Sequence, residues 1–171
     1  MKRIALILIL TLSLTSVYAG SSMPGDIAGE HYITDISAIL NGAVISSRNI
    51  GGYTVISAEA MRFYGFDVVW SEAERTLNIT FSPDSDNGEP PTIKSSNIFS
   101  GNFGGYYYYT DIVTYLDGMP VTAYNIGGET YILAEEMSRF GYNVQWIDSD
   151  RWLVIDKPGY SDFLAEYYAG E

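Results

Sequence analysis

The stretch Asn49-Ile50-Gly51-Gly52-Tyr53-Thr54-Val55-Ile56-Ser57-Ala58-Glu59-Ala60-Met61 returns 76 residues later as Asn125-Ile126-Gly127-Gly128-Glu129-Thr130-Tyr131-Ile132-Leu133-Ala134-Glu135-Glu136-Met137. The same shift, without a gap, aligns Thr34-Asp35-Ile36 with Thr110-Asp111-Ile112, and Leu40-Asn41-Gly42 with Leu116-Asp117-Gly118. It also aligns Gly65, Val68 and Trp70 with Gly141, Val144 and Trp146, and Arg75, Leu77 and Ile79 with Arg151, Leu153 and Ile155. Roughly 20 of about 46 aligned positions are identical, which chance does not produce, so the chain reads as a tandem duplication. Each copy is close to the lower size at which a domain folds alone.

Within one copy the local signals run in a fixed order. Tyr32 to Leu40 is rich in β-branched and apolar residues, and Asn41-Gly42 (Asp117-Gly118 in the second copy) is the signature of a tight hairpin turn. Ala43 to Ser47 returns, Gly51-Gly52 turns again, and Tyr53 to Ile56 forms a third short strand. Ser57 caps a helix over Ala58 to Tyr64, which Gly65 terminates. Phe66, Val68 and Trp70 alternate, then Leu77, Ile79 and Phe81 alternate with Thr76, Asn78 and Thr80. The expectation is α+β: two tandem small modules, each a mainly antiparallel sheet with one helix in the order β-β-β-α-β-β.

The modules span 25–81 and 106–157, joined by a polar, turn-rich linker over 82–105. Residues 1–19 read as a signal peptide: Lys2 and Arg3, the apolar run Ile4 to Leu14, and Val17-Tyr18-Ala19 before Gly20. Residues 158–171 form a tail in which Ser161 caps a short helix with Phe163, Leu164, Tyr167 and Tyr168 on one face. Cysteine is absent, so packing alone holds the modules. The formal charge is −12, and removal of Lys2 and Arg3 takes it to −14. Such a surface repels phosphate backbones and anionic headgroups, which excludes nucleic acid as a partner and argues against membrane insertion after cleavage.

Little in the chain has the chemistry of a reaction centre. His31 is the lone histidine, so imidazole or thiolate metal sites and a Ser-His-Asp triad lack ligands. No metal and no cofactor is expected. Asp84-Ser85-Asp86-Asn87-Gly88 departs from calcium-loop spacing, and Ser95 stands where a bidentate Glu belongs. The recurring carboxylates Asp35/Asp111 and Glu59/Glu135 are read as structural: the first pair bonded to local backbone, the second suited to a first helical turn. Trp70 and Trp146 are read as core, and Arg75 and Arg151 as packing across a turn against Glu72 and Asp148. The copies differ where Thr76 becomes Trp152 and Asn78 becomes Val154. With Ile112 and Leu116 facing inward, Tyr107, Tyr109, Val113 and Tyr115 share the outer parity. Tyr107, Tyr109, Tyr115 and Trp152 are therefore the candidate binding residues, and the tail is the candidate cover for Trp152.

The order Leu-Asn/Asp-Gly, Gly-Gly-x-Thr-x-Ile-x-Ala-Glu-x-Met, Gly-Phe/Tyr-Asp/Asn-Val-x-Trp and Arg-x-Leu-x-Ile, present from Tyr32 to Phe81 and from Tyr108 to Ile155, resembles the stalk domain of secreted bacterial proteins, also called the copper amine oxidase N-terminal-like domain. The resemblance implies a small α+β module, often repeated, at or outside the bacterial cell surface. It implies no catalytic residues, since the copper and quinone chemistry of amine oxidases belongs to a separate domain. The sequence thus points to a non-catalytic secreted or cell-surface module for adhesion, assembly or display, binding an extracellular protein or surface polymer. The alternative is a module that binds glycan or cell-wall carbohydrate through exposed Tyr and Trp.

Overall fold

The computed structural model describes residues 22–85, 88–93 and 100–170. The signal-peptide reading of 1–19, and Asp86 and Asn87 of the calcium-like stretch, lie outside the described residues. The first repeat contributes β1 (Ile27–Tyr32), β2 (Ser37–Leu40), β3 (Ala43–Ile45), β4 (Ser47–Ile50), β5 (Tyr53–Ser57), a 3-10 helix (Glu59–Tyr64), β6 (Phe66–Ser71) and β7 (Thr76–Phe81). The second contributes β8 (Phe103–Tyr108), β9 (Val113–Leu116), β10 (Met119–Pro120), β11 (Ala123–Ile126), β12 (Glu129–Leu133), a 3-10 helix (Glu135–Phe140), β13 (Asn143–Ile147) and β14 (Trp152–Asp156). A short helix, α1 (Phe163–Ala169), follows β14.

The expected pair of α+β modules is not what forms. The chain is mostly β, 46% strand against 13% helix, and its strands build a closed six-stranded barrel and two four-stranded sheets. The barrel runs β1-β4-β5-β12-β11-β8, the sheets β10-β9-β7-β6 and β13-β14-β2-β3, so each takes strands from both repeats. In each small sheet the join is parallel: β14 lies on β2 from Trp152↔Ser37 to Ile155↔Leu40, and β7 lies on β9 from Thr76↔Val113 to Ile79↔Leu116. Turn signals and alternation identify strands but not which copy supplies the neighbour, and that is why the modular expectation failed. The helix of each repeat is a single 3-10 segment. Ser57 Oγ accepts the Ala60 N–H at 3.2 Å, and Gly65 and Gly141 close the two segments at φ of 86° and 80°.

The run Tyr32 to Leu40, expected as one strand, breaks between β1 and β2. Thr34 Oγ1 accepts the Ile36 N–H and Thr110 Oγ1 the Ile112 N–H, each at 3.0 Å, and each turn sends the chain from the barrel into a sheet. The hairpin turns form as read, with Asn41 and Asp117 at φ of 49° and 48° before their glycines.

One apolar core joins the halves. Leu40, Ile56, Met61, Phe66 and Ile79 pack with Leu116, Ile132, Met137, Tyr142 and Ile155, all buried. Phe66 and Tyr142, equivalent positions, stack on each other with ring centroids 6.0 Å apart. Each such side chain stabilises by about 1.5–3 kcal/mol through burial, and here that burial requires the partner repeat. A second cluster, Ile50, Val55 and Tyr131 with Tyr107, Tyr124, Ile126 and Leu133, belongs to the barrel strands.

Candidate binding clefts

The recurring polar residues fasten the repeats to each other. Arg151 forms a double hydrogen bond with Asp35 (3.1 and 2.8 Å), and Arg75 forms one with Asp111 (3.0 and 2.7 Å). These bonds hold both carboxyls below the usual carboxylate range. Each aspartate also takes a backbone hydrogen bond, and the charges of Glu72 and Asp148 act on Arg75 and Arg151 as read from the sequence, but the direct partner of each arginine is the aspartate of the other repeat. Glu59 accepts the Thr130 N–H at 2.9 Å, and Glu135 accepts the Thr54 N–H at 2.9 Å. Asp117 Oδ1 accepts the Phe81 N–H at 2.8 Å, and Asn41 Oδ1 the Lys157 N–H at 2.9 Å. All are reciprocal: what the first repeat offers the second, the second returns.

The four candidate aromatics do not form one stripe. Tyr107 and Tyr109, with Tyr108, Thr110 and Tyr124, line a cleft of about 310 Å³ beside the join of β8 and β11. That join is a single residue pair, Asn125↔Tyr108, which leaves the groove open. The Tyr107 and Tyr124 rings meet edge to face at 5.2 Å, and burial raises the Tyr124 hydroxyl above its ordinary pKa. Tyr109 is exposed. Tyr115 lies on β9 in another sheet, opposite Asn78. Trp152 is half-buried beneath the tail, 5.9 Å from the Phe163 ring and 5.6 Å from that of Tyr167, so it presents no open platform.

Tyr107 reaches its place because the residue opposite is glycine. A Cβ on Gly29 would meet the Tyr107 ring at 2.6 Å. The equivalent pair is His31 and Gly105, where a Cβ would come within 3.0 Å of the imidazole. His31 is buried, its Nδ1 has no hydrogen-bond partner among the described residues, and burial followed by the nearby Arg48 charge lowers its pKa.

A second cleft was missed from the sequence. Trp70 and Trp146, expected in the core, are 43% and 40% exposed. Each indole carries a guanidinium of its own hairpin, Arg75 at 5.3 Å and Arg151 at 5.4 Å. Trp70 walls a cleft of about 290 Å³ floored by Val68, Leu77 and Ile112 and rimmed by Glu59, Arg62 and Thr130. The readable signal was the arginine five residues after each Trp, with φ of 53° and 57° at the end of its hairpin. Such an arginine turns back over the strand end, where an indole stays half open.

Among the described residues, no group of three or more His, Asp or Glu side chains is arranged to hold a metal ion, and no helix is long and apolar enough to cross a membrane. Compared with family models, with curated proteins and with solved structures, the chain matches none.

Proposed function

We propose that this chain is a non-catalytic binding module, exported and presented at or beyond the cell surface for adhesion, assembly or display, in the manner of the stalk domains its motifs resemble. Its partner is an extracellular protein or surface polymer, held in the tyrosine cleft of the second repeat. The observation that carries the reading is the use made of the duplicated charges. Asp35, Asp111, Glu59, Glu135, Arg75 and Arg151 are engaged between repeats, whereas Tyr107, Tyr109 and Tyr124 line an open groove. Aromatic surface with hydroxyl groups at its edge suits recognition by contact area and hydrogen bonding.

The alternative partner, a glycan, is favoured by the concave shape of this groove and by Thr110 among its lining. The test is capture of the mature chain, residues 20–171, on purified cell wall and on secreted proteins. Retention by one of them, reduced about tenfold by Tyr109→Ala with Tyr124→Ala, supports the proposal. Retention unchanged by the pair of substitutions removes the contact from this cleft, and no retention on either material refutes the module reading. Sequencing of the exported protein should begin at Gly20.

A further inference from the structure

We infer that the Trp70 cleft is a separate subsite for one neutral pyranose ring of a polysaccharide. The inference rests on the reading of the chain as a binding module, but it concerns a different groove. Three features point to this occupant. The open cleft of about 290 Å³ has room for a sugar ring. Its wall is an indole, 43% exposed although it lies beside the buried Leu77 and carries the Arg75 guanidinium 5.3 Å from its centroid, so the part of the ring that lines the cleft is available for stacking. Its rim supplies hydrogen-bonding groups of both kinds: the Glu59 carboxylate, which holds the Thr130 N–H with lone pairs to spare, accepts, and the Arg62 guanidinium, whose Nε donates to the Glu59 carbonyl at 2.8 Å, donates. An apolar wall flanked by donors and acceptors matches a sugar, which presents a C–H face and a hydroxyl edge. The carboxylate on the rim and the chain's net charge of −12 disfavour an acidic sugar.

The lining recurs in the second repeat as Glu135, Val144, Trp146, Leu153, Ile36 and Thr54, but Ser138 replaces Arg62. The donor on the rim therefore distinguishes the first copy, and this difference makes the proposal testable within one chain. Trp146→Phe with Trp152→Phe leaves Trp70 as the single indole. Cellohexaose and the hexamer of N-acetylglucosamine are then titrated while Trp70 emission is followed. Saturable quenching or a blue shift is expected with at least one of them. Trp70→Ala in the otherwise native chain should weaken binding of that sugar about tenfold, and Arg62→Ala several-fold. Circular dichroism guards against misfolding, and Trp70→Phe, which keeps a smaller ring, should retain intermediate affinity.

If neither sugar perturbs Trp70 emission, the inference is wrong, while capture on cell wall or secreted proteins still decides the broader proposal. If a sugar binds but Trp70→Ala and Arg62→Ala leave its affinity unchanged, the sugar sits elsewhere and the subsite is again refuted. In that case the binding-module reading survives.

Discussion

The two four-stranded sheets have equivalent strands in equivalent order, yet their outer faces have opposite fates. On the sheet β13-β14-β2-β3, Ile147, Val154 and Ile39 are buried beneath Phe163, Leu164 and Tyr167 of α1. On the sheet β10-β9-β7-β6 the equivalent positions are Ser71, Asn78 and Tyr115, and neighbouring Val69 and Val113 are 59% and 46% exposed. The anchor of the tail differs as well. Buried Asp156 accepts from Ser161 Oγ at 2.7 Å and from the Leu164 N–H at 3.2 Å, whereas its counterpart is the exposed Thr80. One backbone thus accepts a wet or a dry outer face. A few side chains and a short tail decide which.

The largest test of this contrast removes the cover. Deletion of residues 161–171 uncovers Ile39, Ile147, Val154 and Trp152, a loss on the order of 3 kcal/mol. We expect a melting temperature lower by about 10 °C and a red shift of indole emission. An unchanged melting curve would mean that the tail rests on the sheet without stabilising it. Next in size is Val154→Asn, which copies the bare face onto the covered one. Beneath α1 its amide lacks a partner, and calorimetry or urea unfolding should show a loss of about 2–3 kcal/mol.

A smaller effect tests the feature the two sheets share. Asp35 and Asp111 have folded pKa values below the ordinary one because arginine hydrogen-bonds the ionised form. Their contribution is complete above the unfolded carboxylate pKa, near pH 4, and is lost as pH falls through the lowered folded value. Melting temperature should therefore fall by a few degrees between about pH 4 and pH 2. Arg75→Ala and Arg151→Ala should flatten this dependence to similar degrees, the bridges being alike in geometry and exposure. Unequal slopes would show that the covered sheet depends on its bridge differently. Smallest is Asn78→Val, the reverse exchange on the bare face, which should change stability by less than about 0.5 kcal/mol in chemical unfolding.

What could be read from sequence divides along the same line as local and long-range structure. The 76-residue shift, the Asn41-Gly42 and Asp117-Gly118 turns and the alternation in Thr76 to Phe81 are local patterns, and the elements follow them. The exchange of Thr76 and Asn78 for Trp152 and Val154 pointed at the tail, and α1 lies there. What was not legible is pairing between repeats. A parallel neighbour such as β14 on β2 has no turn to announce it, and Asp35 looks the same in sequence whether it bonds backbone alone or Arg151 as well. Of the candidate aromatics, Tyr107 and Tyr109 came together because β8 carries the first and the second follows directly on its end, while Tyr115 and Trp152 went to different sheets. Trp70 was misplaced because period-2 alternation gives the side of a strand but not how far the opposing layer extends past its end.

The reciprocity of the bonds between repeats has a consequence for asymmetry. Each half carries both partners of the paired contacts: aspartate and arginine, glutamate and threonine N–H, ring and glycine. The chain therefore has the geometry of an isologous dimer whose two protomers have been written in tandem. In a dimer of identical chains, every feature must appear twice. Here one copy bears Trp152 and its lid, the other Arg62 beside Trp70, and only Tyr107 and Tyr124 stand where the first copy has His31 and Arg48. Fusion frees each half to specialise while the shared interface stays fixed. It gives a symmetric scaffold two unlike surfaces to present.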